Sequence, residues 1–288
     1  MAMASNNEFQ VVRNQGRLYG FANLFQNENR LWWLTSRWWV QILIWLAIAN
    51  GILFLVIGVA PKMENPPGQE AKAAQAAAQS GATQQDLDLL GLTVFLKMAG
   101  IVIGIGVVVF AQDTLIGERQ SGTIAWILSK PVTRSAFILA KVFSHSIGIL
   151  LTMVITQGGF AYLIIYLVTR KAFPILPYMG ALGMLFASLL FWLTLTIMLG
   201  ALSNMRGLAI GIPLILLLGF TLFVEVAPWT ANFMPWNLTS AINDTWPAMA
   251  LSLVLEEPIN TWMPLFTTMV GCLVFTLVAI WKFQKEEF

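Results

Sequence analysis

The sequence predicts an all-α, polytopic integral membrane protein, and three observations predict it. Hydrophobic residues make up 58% of the 288 positions and charged residues 10%, where a soluble domain carries about 25% charged. Apolar runs of roughly 20 residues, enough to cross the hydrocarbon core as a helix, recur along the chain. Between them the loops alternate between dense and sparse in basic residues, as loops on opposite sides of a membrane do.

Residues 1–38 are polar and basic and lack a short apolar core followed by a cleavage site, so the first apolar run is expected to stay in the mature chain. Within Tyr19 to Trp39, residues Phe21, Leu24, Phe25, Leu31, Trp32 and Leu34 recur at near-helical spacing, with Arg30 and Arg37 among them. That pattern describes an amphipathic helix lying in the membrane plane and setting the angle of the first span. The expected spans are 39–60, 92–111, 137–168, 175–202, 208–227 and 264–281. The third is long enough to tilt or to begin before the membrane. The turn "SNMRG" makes the fourth and fifth an antiparallel hairpin, with Pro213 expected near the start of the fifth, where proline costs little. The whole chain reads as one transmembrane domain.

Two long connections remain. Residues 61–91 are Ala/Gln-rich and poor in large apolar side chains, so they cannot bury a core and are expected to form a mobile loop. Residues 228–263 are rich in proline and tryptophan, and the run Met249 to Leu255 is too short to span. Short helices on the outer face, or dipping partly into it, are expected there.

The bases set the orientation. With the N-terminus in the cytoplasm, Arg13, Arg17, Arg30, Arg37, Arg119, Lys130, Arg134, Lys141, Arg206, Lys282 and Lys285 lie inside. Outside lie Lys62, Lys72, Arg170 and Lys171, the last two against the trend, and Lys97 is within the second segment. The imbalance predicts a multi-pass protein of the cell membrane with both termini cytoplasmic.

No catalytic constellation is legible. The chain has no His-Glu-x-x-His and no Gly-x-Ser-x-Gly with a partner histidine. Its single histidine, His145, cannot build a metal site by itself and reads as a packing or hydrogen-bonding residue. Cys272 has no disulfide partner, Glu256-Glu257 reads as a solvated loop end, and Glu225 lies near the outer interface. Gly104 and Gly106 fall inside a span, where small residues let helices approach closely; Gly200, Gly207, Gly211 and Gly219 read the same way. Nothing points to a nucleotide, metal or other cofactor on this chain, or to nucleic acid as a partner. Energy for any work must come from another chain or from an ion gradient.

The most polar and punctuated stretch is Asp113 to Lys141, which covers all but the first residue of the cytoplasmic connection 112–136 and runs into the start of the third span. From Glu118 to Ser129, Ile124, Ile127 and Leu128 share one helical face, predicting a short amphipathic helix. Lys130-Pro131 stops it, and Thr133 or Ser135 is placed to cap the next helix. A helix-turn-helix elbow follows, suited to taking a push from a soluble partner and passing it to two spans at once.

Glu118, Arg119, Gly122, Thr123, Leu128, Ser129, Pro131, Arg134 and Lys141 stand in an order that resembles the signature of ATP-binding-cassette type-2 permeases, the membrane subunits of an exporter family. The resemblance implies a pair of permeases, each docking a separate ATPase that holds ATP and Mg. It implies that Glu118, Arg119, Gly122, Thr123, Ser129, Pro131 and Arg134 belong to a coupling helix, and that the second and fifth spans face each other across the dimer axis. Lys97, Thr221 and Glu225 are then the polar positions expected along a translocation path. A membrane anchor or assembly subunit without its own path is the alternative, and the Ala/Gln-rich insertion departs from the family layout.

Overall fold

The computed structural model describes residue 16 and residues 18–61, 84–203, 205–241 and 247–286. Most of the Ala/Gln-rich loop, residues 62–83, lies outside the described residues. Five helices are long and apolar enough to cross a membrane: α2 (Trp38–Val59), α3 (Leu87–Gln120), α5 (Arg134–Thr169), α6 (Ile175–Leu202) and α11 (Met263–Lys285). Between and before them lie α1 (Phe21–Leu34), α4 (Thr123–Leu128), α7 (Arg206–Leu218), α8 (Phe220–Val226), α9 (Trp236–Thr239) and α10 (Met249–Val254). The protein is therefore a multi-pass, all-α membrane protein over the described residues.

Uniform hydrophobicity makes α6 the hub. It packs against α3, α5, α7, α9, α10 and α11, and 72% of its most apolar stretch is buried against 17% for α11. Trp192 on α6 is fully buried, and Phe191 packs edge-on against Phe275 of α11 at 5.2 Å. Several spans widen into π-helical turns, at Leu46–Asn50, Leu55–Val59, Ala99–Ile103 and Leu150–Ile155. Such turns free backbone carbonyls that hydrocarbon cannot satisfy. Gln157 meets part of that need by donating to the Ile42 carbonyl at 3.1 Å and the Thr152 carbonyl at 3.3 Å, while its own oxygen accepts from Asn50 at 2.8 Å.

The fifth expected span is not one continuous helix. α7 begins at Arg206, so Pro213 falls in its interior rather than in its first turn. Proline there removes a backbone donor, and the helix ends at Leu218; Gly219 separates it from α8. Of the glycines expected at close helix approaches, Gly104 and Gly106 are so used: an added Cβ would lie 2.9 Å from Leu217 and 1.9 Å from the Trp45 ring. Gly207 and Gly211 face nothing within 4 Å, and Gly219 marks the break. We expect Gly106→Leu to destabilise the protein by roughly 3 kcal/mol through overpacking. Gly159→Ala, at a position with nothing within 4 Å, should leave the thermal midpoint of detergent-purified protein unchanged.

The proline- and tryptophan-rich segment dips into the bundle. Trp236, Leu238 and Thr239 of α9, with Met249 and Ala250 of α10, are buried, and Thr239 occupies the space a side chain at Gly100 would need. Residues 242–246 lie outside the described residues. Of the two bases that run against the charge trend, Arg170 and Lys171, Lys171 has a local partner, Asp88 at 3.7 Å.

Candidate coupling elbow

α3 is 34 residues long, about 51 Å at 1.5 Å per residue, against a hydrocarbon core of about 30 Å. One end must project or tilt, and the polar residues Asp113 to Gln120 identify which. The expectation of a single helix over Glu118 to Ser129 is corrected here. Glu118, Arg119 and Gln120 form the last turn of α3, and the chain breaks at Ser121-Gly122. Gly122 has φ +71° and nothing within 4 Å of an added Cβ, so glycine is needed for its backbone conformation rather than for space. Its N–H donates to the Arg119 carbonyl at 3.1 Å, a left-handed helix stop.

α4 then forms a short knob. Ile124 is buried and Ile127 packs against the core, whereas Trp126 is 63% exposed with the Lys130 ammonium 3.6 Å from its ring centre. Ser129 donates to the Trp126 carbonyl at 2.7 Å, closing the turn before Pro131. Thr133 caps α5, its side chain accepting from the Ala136 N–H at 3.3 Å. The Thr133 N–H donates to the Tyr19 carbonyl at 3.1 Å, which ties the elbow to the start of α1.

Behind the knob lies an ion-pair triad. Lys141 is 1% exposed, and its ammonium reaches Glu28 of α1 at 2.8 Å and Glu118 of α3 at 2.7 Å. Three helices are thus joined at one buried cation. His145, one turn along α5, donates from Nδ1 to the Lys141 carbonyl at 2.8 Å, and its Nε2 lies 3.3 Å from the Thr114 hydroxyl, with Trp32 and Phe110 against its ring. The other basic signature residues hold the end of α11. Arg134 donates to the carbonyls of Gln284 at 2.8 Å and of Phe283 and Glu286, satisfying groups that a helix C-terminus leaves open. Arg119 pairs with Glu286, donates to the Ala201 carbonyl at 3.1 Å, and lies over the Phe283 ring. Arg206 pairs with Asp113 at 3.0 Å and donates to Gln120 at 3.0 Å.

The structure thus separates the expected site residues by position. Gly122, Ser129 and Pro131 lie exposed on the knob with Thr123 half-buried, and Glu118, Arg119 and Arg134 lie behind it in contacts within the chain. Lys97 on α3 and Glu225 on α8 are exposed, and no ion pair joins them; Thr221 is on α8, its side chain outside the described part. Sequence reasoning missed Glu28, Glu286 and Trp126. A lysine within an apolar helix demands a counter-charge, a signal that calls for an acid without saying which one.

Two kinds of likeness to known proteins accompany this geometry. The family described as "ABC-2 family transporter protein" matches residues 33–288. A probable ABC transporter permease protein NosY of Pseudomonas aeruginosa is 28% identical over 191 residues, covering 59% of this chain and 68% of its own length. The protein of the same description from Stutzerimonas stutzeri is 24% identical over 230 residues, covering 73% and 76%. Both relatives are described as probable permeases, as the expected permease role of this chain requires. With a match that begins inside α1 and runs to the last residue, this chain belongs to the ABC-2 family of membrane transporter permeases.

Proposed function

We propose that this chain is the membrane half of an ABC exporter, working as a pair and coupling ATP hydrolysis on a separate cytoplasmic ATPase to substrate translocation. The observation that supports this best is the knob. An exposed tryptophan with a cation over its face, on a rigid turn joined to two long helices, has the character of an interface hot spot. In this reading α4 enters a cleft on the ATPase, and the motor's movement passes along α3 and α5 together. α1, the elbow and the end of α11 all gather at one end of the bundle, through the Tyr19–Thr133 and Arg134–Gln284 contacts. We assign that end to the cytoplasm, which puts both termini there. α7 and α8 together serve as the fifth of six crossings in chain order, bent at Gly219.

The exposed Glu225 among Leu222 and Val226 favours a second permease copy over that face, since a carboxylate left against lipid is costly. An anchor or assembly subunit is the second reading; among the described residues no ion pair joins Lys97 to Glu225 along the expected path.

The test is co-expression with a separate ABC ATPase subunit, the partner this reading requires. Trp126→Ala should weaken docking by about 2 kcal/mol, roughly 30-fold, without lowering the thermal midpoint. Gly122→Val should lower permease-stimulated hydrolysis because valine disfavours φ +71°. Normal coupling in both variants, or labelling of Lys130→Cys from outside the cell only, defeats the proposal.

A further inference from the structure

A cavity of about 800 Å³ opens between α1, the polar end of α3, α5 and the start of α7. Its lining is amphipathic in a directional way. Leu31, Val40 and Val109 form an exposed apolar rim, while Glu28, Glu118, Asp113, Lys141 and Arg206 form the polar part. Two of the lining residues carry a buried acceptor oxygen with no hydrogen-bond partner among the described residues, Glu118 Oε2 and Gln112 Oε1. A guest that satisfies them must bring donors. The charges narrow it further. Lys141 is shared by Glu28 and Glu118, and Arg206 pairs with Asp113, so in formal charge, with the lining His145 counted neutral, three carboxylates face two cations. The excess is one negative charge, next to the orphaned Glu118 oxygen.

We infer that this cavity binds the protonated primary amine of an amphiphile, with the headgroup at Glu118 and Gln112 and the chain leaving over Leu31, Val40 and Val109. A primary ammonium supplies three donors and one positive charge, which match the two orphaned acceptors and the excess carboxylate. A quaternary ammonium carries the charge without the donors and is the wrong guest. An anionic headgroup meets the wrong sign. The inference stands on the cavity and not on the coupling role of the elbow, because binding is a property of this chain without an ATPase.

The experiment uses the full-length chain in a non-ionic detergent containing equal amounts of phosphatidylethanolamine and phosphatidylcholine, with retained lipid counted by native mass spectrometry. The expected result is a preference for phosphatidylethanolamine of about tenfold, the scale of a charge-assisted hydrogen bond. Dodecylamine should displace it and ethanolamine should not. Glu118→Gln should reduce the preference about tenfold. Because that change also touches the triad, Val109→Trp serves as the independent variant. It blocks the rim, leaves every ion pair intact and should abolish retention. Equal retention of the two lipids overturns the inference, as does a preference that survives Val109→Trp. Ethanolamine competing as well as dodecylamine would overturn the amphiphile and leave a free-amine site in its place.

Discussion

Lys141→Met is expected to destabilise the protein by about 3–5 kcal/mol, the usual cost of removing one partner from a buried charge cluster. Lys141 is almost fully buried, and its ammonium is the shared partner of Glu28 and Glu118. Methionine restores the volume but leaves two carboxylates facing the same low-dielectric space. They repel each other, and one must gain a proton or the helices must part. Because Glu28 lies on α1, Glu118 on α3 and Lys141 on α5, the loss is read as detachment of α1 as well as a lower midpoint. The triple variant Lys141→Met, Glu28→Gln, Glu118→Gln removes all three charges and should recover most of the stability. Thermal unfolding of the purified variants in detergent measures both. A triple variant as unstable as the single one would show that charge isolation is not the cause.

Arg134→Ala should release the end of α11 and cost about 2–3 kcal/mol. One guanidinium nitrogen meets the carbonyls of Phe283, Gln284 and Glu286, and hydrogen bonds from a charged donor contribute about 1.5–3 kcal/mol. Gln284 also donates to Ser135 at 2.8 Å, so the release should be local. Backbone hydrogen exchange over residues 281–286 should rise by about tenfold or more, while the buried centre of α6 keeps its protection. Arg134→Lys should recover part of the protection, because a single ammonium lacks the planar fork of guanidinium. Unchanged exchange in the alanine variant would mean that α11 ends where it does for other reasons. In the proposed mechanism the same variant uncouples the elbow from the last span, so stimulated hydrolysis should fall more than stability does.

Much of this architecture was legible before any coordinates. The fourth expected span, 175–202, coincides with α6, and the first, third and last expected spans overlap α2, α5 and α11 closely. Hydrocarbon length is a strong constraint, and it acts on composition directly. A hydroxyl cap on α5 was legible too, as Thr133 or Ser135, because a hydroxyl after proline and before an apolar run has few other uses; the structure uses Thr133. The short helix at the elbow was misread at its start. Periodicity placed Ile124, Ile127 and Leu128 on one face, but periodicity does not register that Gly122 turns left-handed and ends α3 first. The break in the fifth expected span was missed for a related reason: hydropathy does not weigh what Pro213 does in the interior of α7.

By itself the sequence determined the solvent, the class and the family: apolar length fixes which segments cross, and the spacing from Glu118 to Lys141 carries the family signature. Only the tertiary structure decided what those signature residues touch. Lys141 could have met any acid at its depth, and chain separation does not report distance; it is the docking of α1 on α5 that brings Glu28 to 2.8 Å. The same holds for Arg119 and Arg134, whose partners at the end of α11 are about 150 residues away along the chain and become neighbours through the packing of α11 on α5 and α6. Local sequence sets local dihedrals and burial preference. Pairing between distant charges depends on how helices pack, and packing is a property of the whole bundle.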